Sequence, residues 1–220
     1  MLPDYWLLLA LVFAGGFAAL ILQQARSQSD PSQSLLGSGL LALALLLGIQ
    51  IGLRFELNET LVKLFYWGRG MLLVAWLGHG YTNLVLPGNS LLRKLTPALL
   101  AVSAVALGPA LSTQLTQAQT WYAPAQPIYS QLGDLLATNR PTRWLALALN
   151  LYGLATVGAG LWLTRSQGAP NLWAGLLALL ALGLLAFAWA VPSPELPRLY
   201  ALELMPPFLL FAAWRLRQAR

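Results

Sequence analysis

Long uncharged runs, separated by short segments that hold most of the charges, divide this chain of 220 residues. Most of these runs approach the roughly 20 apolar residues that a helix needs to cross the hydrocarbon core of a bilayer. The pattern predicts an all-α, polytopic transmembrane helix bundle that forms a single domain over residues 1–220. Seven spans are expected, at residues 5–24, 35–53, 64–86, 95–112, 144–164, 171–191 and 199–214, with one long outer loop over residues 113–143.

The last span is the weakest because it carries Glu203 and the pair Pro206-Pro207. An interfacial or half-inserted helix is therefore the alternative at this place. Within the outer loop, apolar residues between positions 128 and 136 recur at helical spacing. This segment is expected either to lie in the outer headgroup plane or to be an ordinary covering loop.

Composition excludes a soluble domain. The hydrophobic fraction is 58% and the charged fraction 9%, against roughly 45–50% and about 25% in soluble domains. The chain has no cysteine, which excludes disulfides, thiolate chemistry and metal sites that use cysteine.

The basic residues indicate an orientation. With the N-terminus placed outside, the inner segments hold seven Lys and Arg residues and the outer segments five, which agrees with the positive-inside rule. The inner ones are Arg26, Arg93, Lys94, Arg165, Arg215, Arg217 and Arg220. We expect an N-out, C-in multi-pass protein of the cell membrane, specifically a bacterial inner membrane. Because helix-end positions account for the basic residues, no nucleic-acid partner is expected.

Two charges, Arg69 and Glu203, fall inside predicted spans, where ionisable residues are functional candidates by default. At 1.5 Å per residue both would lie roughly 6–8 Å below the outer edge, where they could pair across the bundle. Gln50 and Asn150 fall near the same level. These four residues form a candidate ligand-binding cluster open to the outer side. The alternative is a purely structural ion pair.

His79 is the only histidine and lies towards the inner side of the third span. It is a candidate for proton relay or for a hydrogen bond between helices. One imidazole and sparse carboxylates do not suffice for a metal or a two-histidine haem site, so no metal and no cofactor are expected. No catalytic constellation is found, and the chain is not expected to be an enzyme.

The order of the spans and the aromatic, glycine-rich stretch from Phe65 to Tyr81 resemble the seven-transmembrane input modules of some bacterial sensor histidine kinases. Those modules share the N-out, C-in arrangement and a long outer connection after the fourth span. Since no kinase domain follows the last span within these 220 residues, the resemblance implies either a stand-alone relative or a truncated piece of such a protein, with ligand sensing as its function.

Three functions follow as hypotheses. The first is a sensory or ligand-binding bundle in the lipid bilayer that takes a small molecule from the outer side. The second is a structural or assembly subunit that contacts other membrane proteins through glycine-rich helix faces, such as those at Gly68, Gly70, Gly153, Gly158 and Gly160. A small transporter is the third, disfavoured because the two halves show no repeat.

Overall fold

A computed structural model of the chain describes residues 3–53, 55, 58–112, 140–190 and 196–218. All regular structure in these ranges is helical, which confirms the all-α prediction. The elements are α1 (Pro3–Gln28), α2 (Pro31–Gly52), α3 (Glu59–Phe65), a π-helical segment (Tyr66–Leu72), α4 (Leu73–Val85), α5 (Ser90–Ser112), α6 (Arg140–Thr164), α7 (Ala169–Ala190) and α8 (Leu196–Gln218).

Within the described residues, five helical stretches are long and apolar enough to cross a membrane, which indicates a membrane-embedded protein. They are Tyr5–Gln28, Pro31–Gly52, Ser90–Ser112, Thr142–Gln167 and Ala169–Phe187. The predicted third span corresponds to the run α3–π segment–α4, and the predicted seventh to α8. Both are helical, and α8 is 23 residues long.

The helix ends differ from the predicted spans because local capping, rather than the edge of the apolar run, decides where each helix begins. Asp30 caps α2 by accepting a hydrogen bond from the Ser32 backbone N–H at 2.8 Å, and Pro31 occupies the first turn. In the same way, Asn58 caps α3 by accepting from Leu61. The helix α6 begins at Arg140, within the stretch predicted as the outer loop 113–143. Residues 113–139, including the segment 128–136, lie outside the described residues.

The helices form a closed ring with one helix beside it. α1 packs on α2, α2 on α4, α4 on α6, α6 on α7, α7 on α8, and α8 returns to α1. α4 also touches α7 and is the most enclosed helix, since all of its residues except Trp76 and Asn83 are buried. α5 lies outside this ring against α3, the π segment, α4 and α6, and few of its residues are buried.

Two glycines let α4 and α6 pack backbone against backbone. A Cβ on Gly78 would lie 2.3 Å from the Gly153 carbonyl oxygen, and one on Gly153 would lie 2.2 Å from that of Val74. The packing role predicted for Gly153 is therefore seen within this chain. Gly158 faces open space, so no close approach within the chain requires a glycine there. Small residues at such crossings let helices approach closely in lipid, where the hydrophobic effect does not drive helix association.

We predict that Gly153→Ala destabilises the bundle by about 1–3 kcal/mol, because the added methyl group meets the rigid backbone of α4. Gly158→Ala, on the same helix, is the matched control and should leave stability unchanged or slightly raised. The measurement is the midpoint of unfolding in an SDS titration. Equal midpoints for the two variants would show that α4 and α6 are not in backbone contact.

Candidate functional site

Arg69 and Glu203 meet inside the bundle. The Arg69 Nη2 atom lies 4.0 Å from Glu203 Oε2, and the side chains are only 1% and 3% exposed. Arg69 Nη1 also donates to the Leu185 carbonyl of α7 at 3.4 Å. The pairing expected from the sequence is therefore present. Charge-assisted hydrogen bonds are usually about 2.7–2.9 Å long, so this pair is in electrostatic contact without a tight bond.

The helix that carries Arg69 is irregular at that residue. Arg69 lies between Gly68 and Gly70 in the π segment, and the Leu73 N–H bonds to the Gly68 carbonyl, one residue further back than in an α-helix. Such π segments are rare and occur frequently at functional sites.

Asn150 supports this irregular backbone. Its Nδ2 donates to the Gly70 carbonyl at 2.8 Å and to the Ala146 carbonyl of its own helix at 2.7 Å. Asn150 thus lies beside Arg69, as the sequence analysis expected. Its amide N–H groups, however, are used to hold the π segment against α6.

The helix that carries Glu203 is also irregular at that level. Pro206 and Pro207 lie inside α8 and have no N–H, so the carbonyls of Leu202 and Glu203 cannot accept the usual helical hydrogen bond. Both carboxylate oxygens of Glu203 are buried without a hydrogen-bond partner in the described part of the chain. The Glu203 carboxylate therefore retains hydrogen-bonding capacity beside the Arg69 guanidinium.

Gln50 is buried near the C-terminal end of α2. It lies one helical turn beyond Leu46, whose side chain packs on Gly68 next to Arg69. Residues four apart share a helix face, so Gln50 lies on the face that α2 turns towards the π segment. The four residues predicted as a cluster are thus all buried, and the described contacts bring Arg69, Glu203 and Asn150 together around the π segment.

His79 bridges three helices. Its Nδ1 lies 2.8 Å from the Tyr152 hydroxyl of α6, and its Nε2 lies 2.8 Å from Thr96 Oγ1 of α5. The ring is completely buried. Of the two roles proposed from the sequence, hydrogen bonding between helices is present in the structure.

Polar contacts attach the peripheral helix α5 to the rest of the bundle. Besides Thr96, Ser103 accepts hydrogen bonds from two indoles: Trp76 Nε1 reaches its hydroxyl at 3.0 Å and Trp67 Nε1 its carbonyl at 2.9 Å. Sequence reasoning did not identify Thr96, Ser103 or Tyr152. In the sequence, only the two tryptophans of the predicted third span and the serine of the fourth indicated such contacts. These residues alone do not specify which hydroxyl an indole N–H would bond.

Hydrogen bonds also hold the C-terminal end of α8 against its neighbours. Arg217 donates to Asn171 Oδ1 and, at 3.0 Å, to the Val85 carbonyl, while Gln24 Nε2 donates to Gln218 Oε1 at 2.9 Å. Arg217 therefore has a role inside the molecule, joining the end of α4 to the start of α7.

Among the described residues, no three His, Asp or Glu side chains come close enough to hold a metal ion. No protein-family model, curated protein or solved structure matches this chain. The geometry of the chain itself therefore carries the functional argument.

We predict that Arg69→Met and Glu203→Leu each destabilise the protein by about 3–5 kcal/mol, because each leaves an opposite charge buried without its partner. The double variant Arg69→Met/Glu203→Leu should regain most of that loss, since it buries no charge. SDS unfolding of the four proteins gives the coupling energy. If the two losses simply add, the side chains do not interact.

We predict that His79 carries its proton on Nε2. Thr96 uses its single hydroxyl hydrogen to bond the Leu92 carbonyl at 3.2 Å, so it can only accept from the imidazole, while Tyr152 donates to Nδ1. Because the chain has one histidine, ¹⁵N-histidine labelling gives one unambiguous ring spectrum. Tyr152→Phe should shift only the Nδ1 resonance strongly. A protonated Nδ1 in the wild type would contradict the assignment.

Proposed function

We propose that this chain is a seven-span, N-out, C-in sensory module of a bacterial inner membrane that binds a small polar molecule from the outer side at Arg69 and Glu203. The observation that carries the proposal is that the buried ion pair lies where both of its helices depart from regular α-helical hydrogen bonding. The resemblance to seven-transmembrane sensor modules points to the same function.

The proposal of seven spans rests on the position of the two helical runs that hold the charges. α8 fills the place between α1 and α7, both of which are apolar enough to cross a membrane. Along this contact Phe17 stacks on Phe211 at 4.1 Å between ring centroids, and Phe13 packs on Phe208 at 4.5 Å. An element enclosed in this way shares the depth of its neighbours. The same reasoning applies to α4, which is enclosed by α2, α6 and α7.

A purely structural role explains the ion pair less well. Replacing a buried ion pair by well-packed apolar residues is often neutral or stabilising, so such a pair is weak evidence for a stabilising role. Glu203 also has unmet hydrogen-bonding capacity in the described part of the chain, which a structural pair would satisfy. A polar ligand would supply the missing donors.

The orientation predicts which loops face the periplasm. The chain has no cysteine, so single cysteines can be introduced without competing thiols. Phe55→Cys, at an 88% exposed position between α2 and α3, should react with a membrane-impermeant maleimide in intact spheroplasts. Ser27→Cys and Ser166→Cys, both at exposed positions, should react only after permeabilisation. The reverse labelling pattern would refute the N-out orientation.

Ligand binding is tested by thermal stabilisation of the purified protein in nanodiscs against a library of small polar metabolites. We expect at least one compound to stabilise the wild type and to have no effect on the Arg69→Met/Glu203→Leu variant. Glu203→Gln is a milder second variant and should weaken the same response. If no compound stabilises the wild type, or if the double variant responds equally, the site does not bind a ligand.

A further inference from the structure

We infer that the end of the bundle at which α1, α4, α6 and α8 terminate binds the headgroups of anionic phospholipids. We call it the basic end, and its exposed basic residues are Arg26, Arg93, Lys94, Arg165 and Arg215. The inference goes beyond the proposed ligand-binding function and is independent of the direction in which the chain crosses the membrane.

A hydrogen bond places two of these residues side by side. Gln24 Nε2 donates to Gln218 Oε1 at 2.9 Å, so the C-terminal turns of α1 and α8 are in contact. Arg26 lies just after Gln24, and Arg215 lies in the same last turn as Gln218. Both exposed guanidinium groups therefore belong to one end of the bundle.

The other three residues lie at the same end. Arg217 joins the end of α8 to the end of α4 through the α4 carbonyl that it bonds at 3.0 Å, and to Asn171 near the start of α7. Arg165 directly follows α6 and precedes α7. Arg93 and Lys94 lie near the start of α5, which begins shortly after α4 ends. The basic end thus carries exposed positive charge from α1, α5, α8 and the turn between α6 and α7.

The described residues do not neutralise this charge. None of the five basic side chains forms an ion pair within the described part of the chain. Asp30 is the one acid among the described residues at this end, and its carboxylate accepts from the Ser32 backbone N–H and from Gln33 Nε2. By contrast, Lys63 at the opposite end lies 2.6 Å from Glu59.

Helix stability explains only part of this charge. Arg26 and Arg215 lie in the last turns of their helices, where the helix dipole favours cations. Arg93 and Lys94 lie near the start of α5, where the dipole favours anions instead, and they are adjacent like charges. An anion from outside the chain would stabilise both groups.

The surroundings identify that anion as a lipid headgroup. The five described stretches that are apolar enough to cross a membrane all begin or end here, so this end lies at a bilayer surface. The Arg165 guanidinium stacks 3.4 Å from the centre of the Trp162 ring, and Trp162 and Trp173 are 65% and 60% exposed. Tryptophan is enriched at the headgroup level, and arginine binds phosphate oxygens through paired hydrogen bonds.

The test measures lipid preference in bilayers. The protein is reconstituted in phosphatidylcholine, and electron paramagnetic resonance gives the association constants of spin-labelled phosphatidylglycerol and phosphatidylcholine. The wild type should prefer phosphatidylglycerol by about threefold or more, since each Lys or Arg near an anionic surface adds up to about fivefold. About 1 M salt should reduce this preference, because the Debye length falls to about 3 Å.

Neutralising the basic end should remove most of the preference. The variant carries Arg26→Gln, Arg93→Gln, Lys94→Gln, Arg165→Gln and Arg215→Gln. All five side chains are exposed, so we expect it to fold, and the midpoint of SDS unfolding checks this. If it does not fold, Arg93→Gln/Lys94→Gln replaces it and should lower the preference in part.

Two further variants separate charge from other effects. Lysine at the four arginine positions of the basic end keeps every charge and should keep the preference. Arg143→Gln removes an exposed charge near the start of α6, at the opposite end of the bundle, and should have a much smaller effect than the five glutamine substitutions.

The outcomes decide the inference. Equal association of the two lipids with the wild type overturns it, as does an unchanged preference in the folded glutamine variant. If Arg143→Gln abolishes the preference, the lipid surface lies at the other end. If the lysine variant loses the preference, the positive charge of the basic end is not its cause.

Discussion

A charge buried among apolar helices needs an opposite charge or a hydrogen-bonding group beside it. The packing of this structure depends on the contacts that Arg69 makes. The guanidinium contacts Glu203 of α8 at 4.0 Å and the Leu185 carbonyl of α7 at 3.4 Å. Removing either charge would break a buried ion pair, which is among the most destabilising changes a protein interior can undergo. The Arg69–Glu203 contact links α8 to the π segment through side chains, although α8 is the least apolar of the predicted spans. The ring of helices then closes where α8 meets α1 through stacked phenylalanines.

The packing of the core and the shape of the site are linked through α6. The backbone contact between Gly78 and Gly153 brings α6 against α4. One helical turn from Gly153, Asn150 can then reach the Gly70 carbonyl and hold the π segment that presents Arg69. Small residues in the core thus set the position of a polar site about two turns away. α5, by contrast, lies outside the ring, and its contacts with the core include hydrogen bonds to His79, Trp76 and Trp67.

Much of the helix order followed from the sequence, because uncharged runs of membrane length leave few alternatives. The pairing of Arg69 with Glu203 also followed, since two isolated opposite charges at similar depth have few other partners. The sequence did not predict the π segment, because Gly68-Arg69-Gly70 permits an irregular helix but does not require one. Tertiary contacts, such as the hydrogen bond from Asn150 to the Gly70 carbonyl, help to stabilise the π-helical conformation. Nor did it identify Thr96 and Tyr152 as partners of His79, because that choice depends on how each helix is rotated about its axis. The start of α6 at Arg140 was missed because helices continue past the edge of an apolar run.

The central claim is that Arg69 and Glu203 form a buried ion pair within the bundle, and a direct distance measurement tests it. In lipid bilayers, rotational-echo double-resonance NMR between ¹⁵N-labelled arginine side chains and ¹³C-labelled glutamate carboxyls should show a short contact, as expected when Nη2 lies 4.0 Å from Oε2. That contact should disappear in Arg69→Met and persist in Glu59→Gln. If the wild type shows no such contact, or if Arg69→Met retains it, the two charges do not meet and the proposed site does not exist.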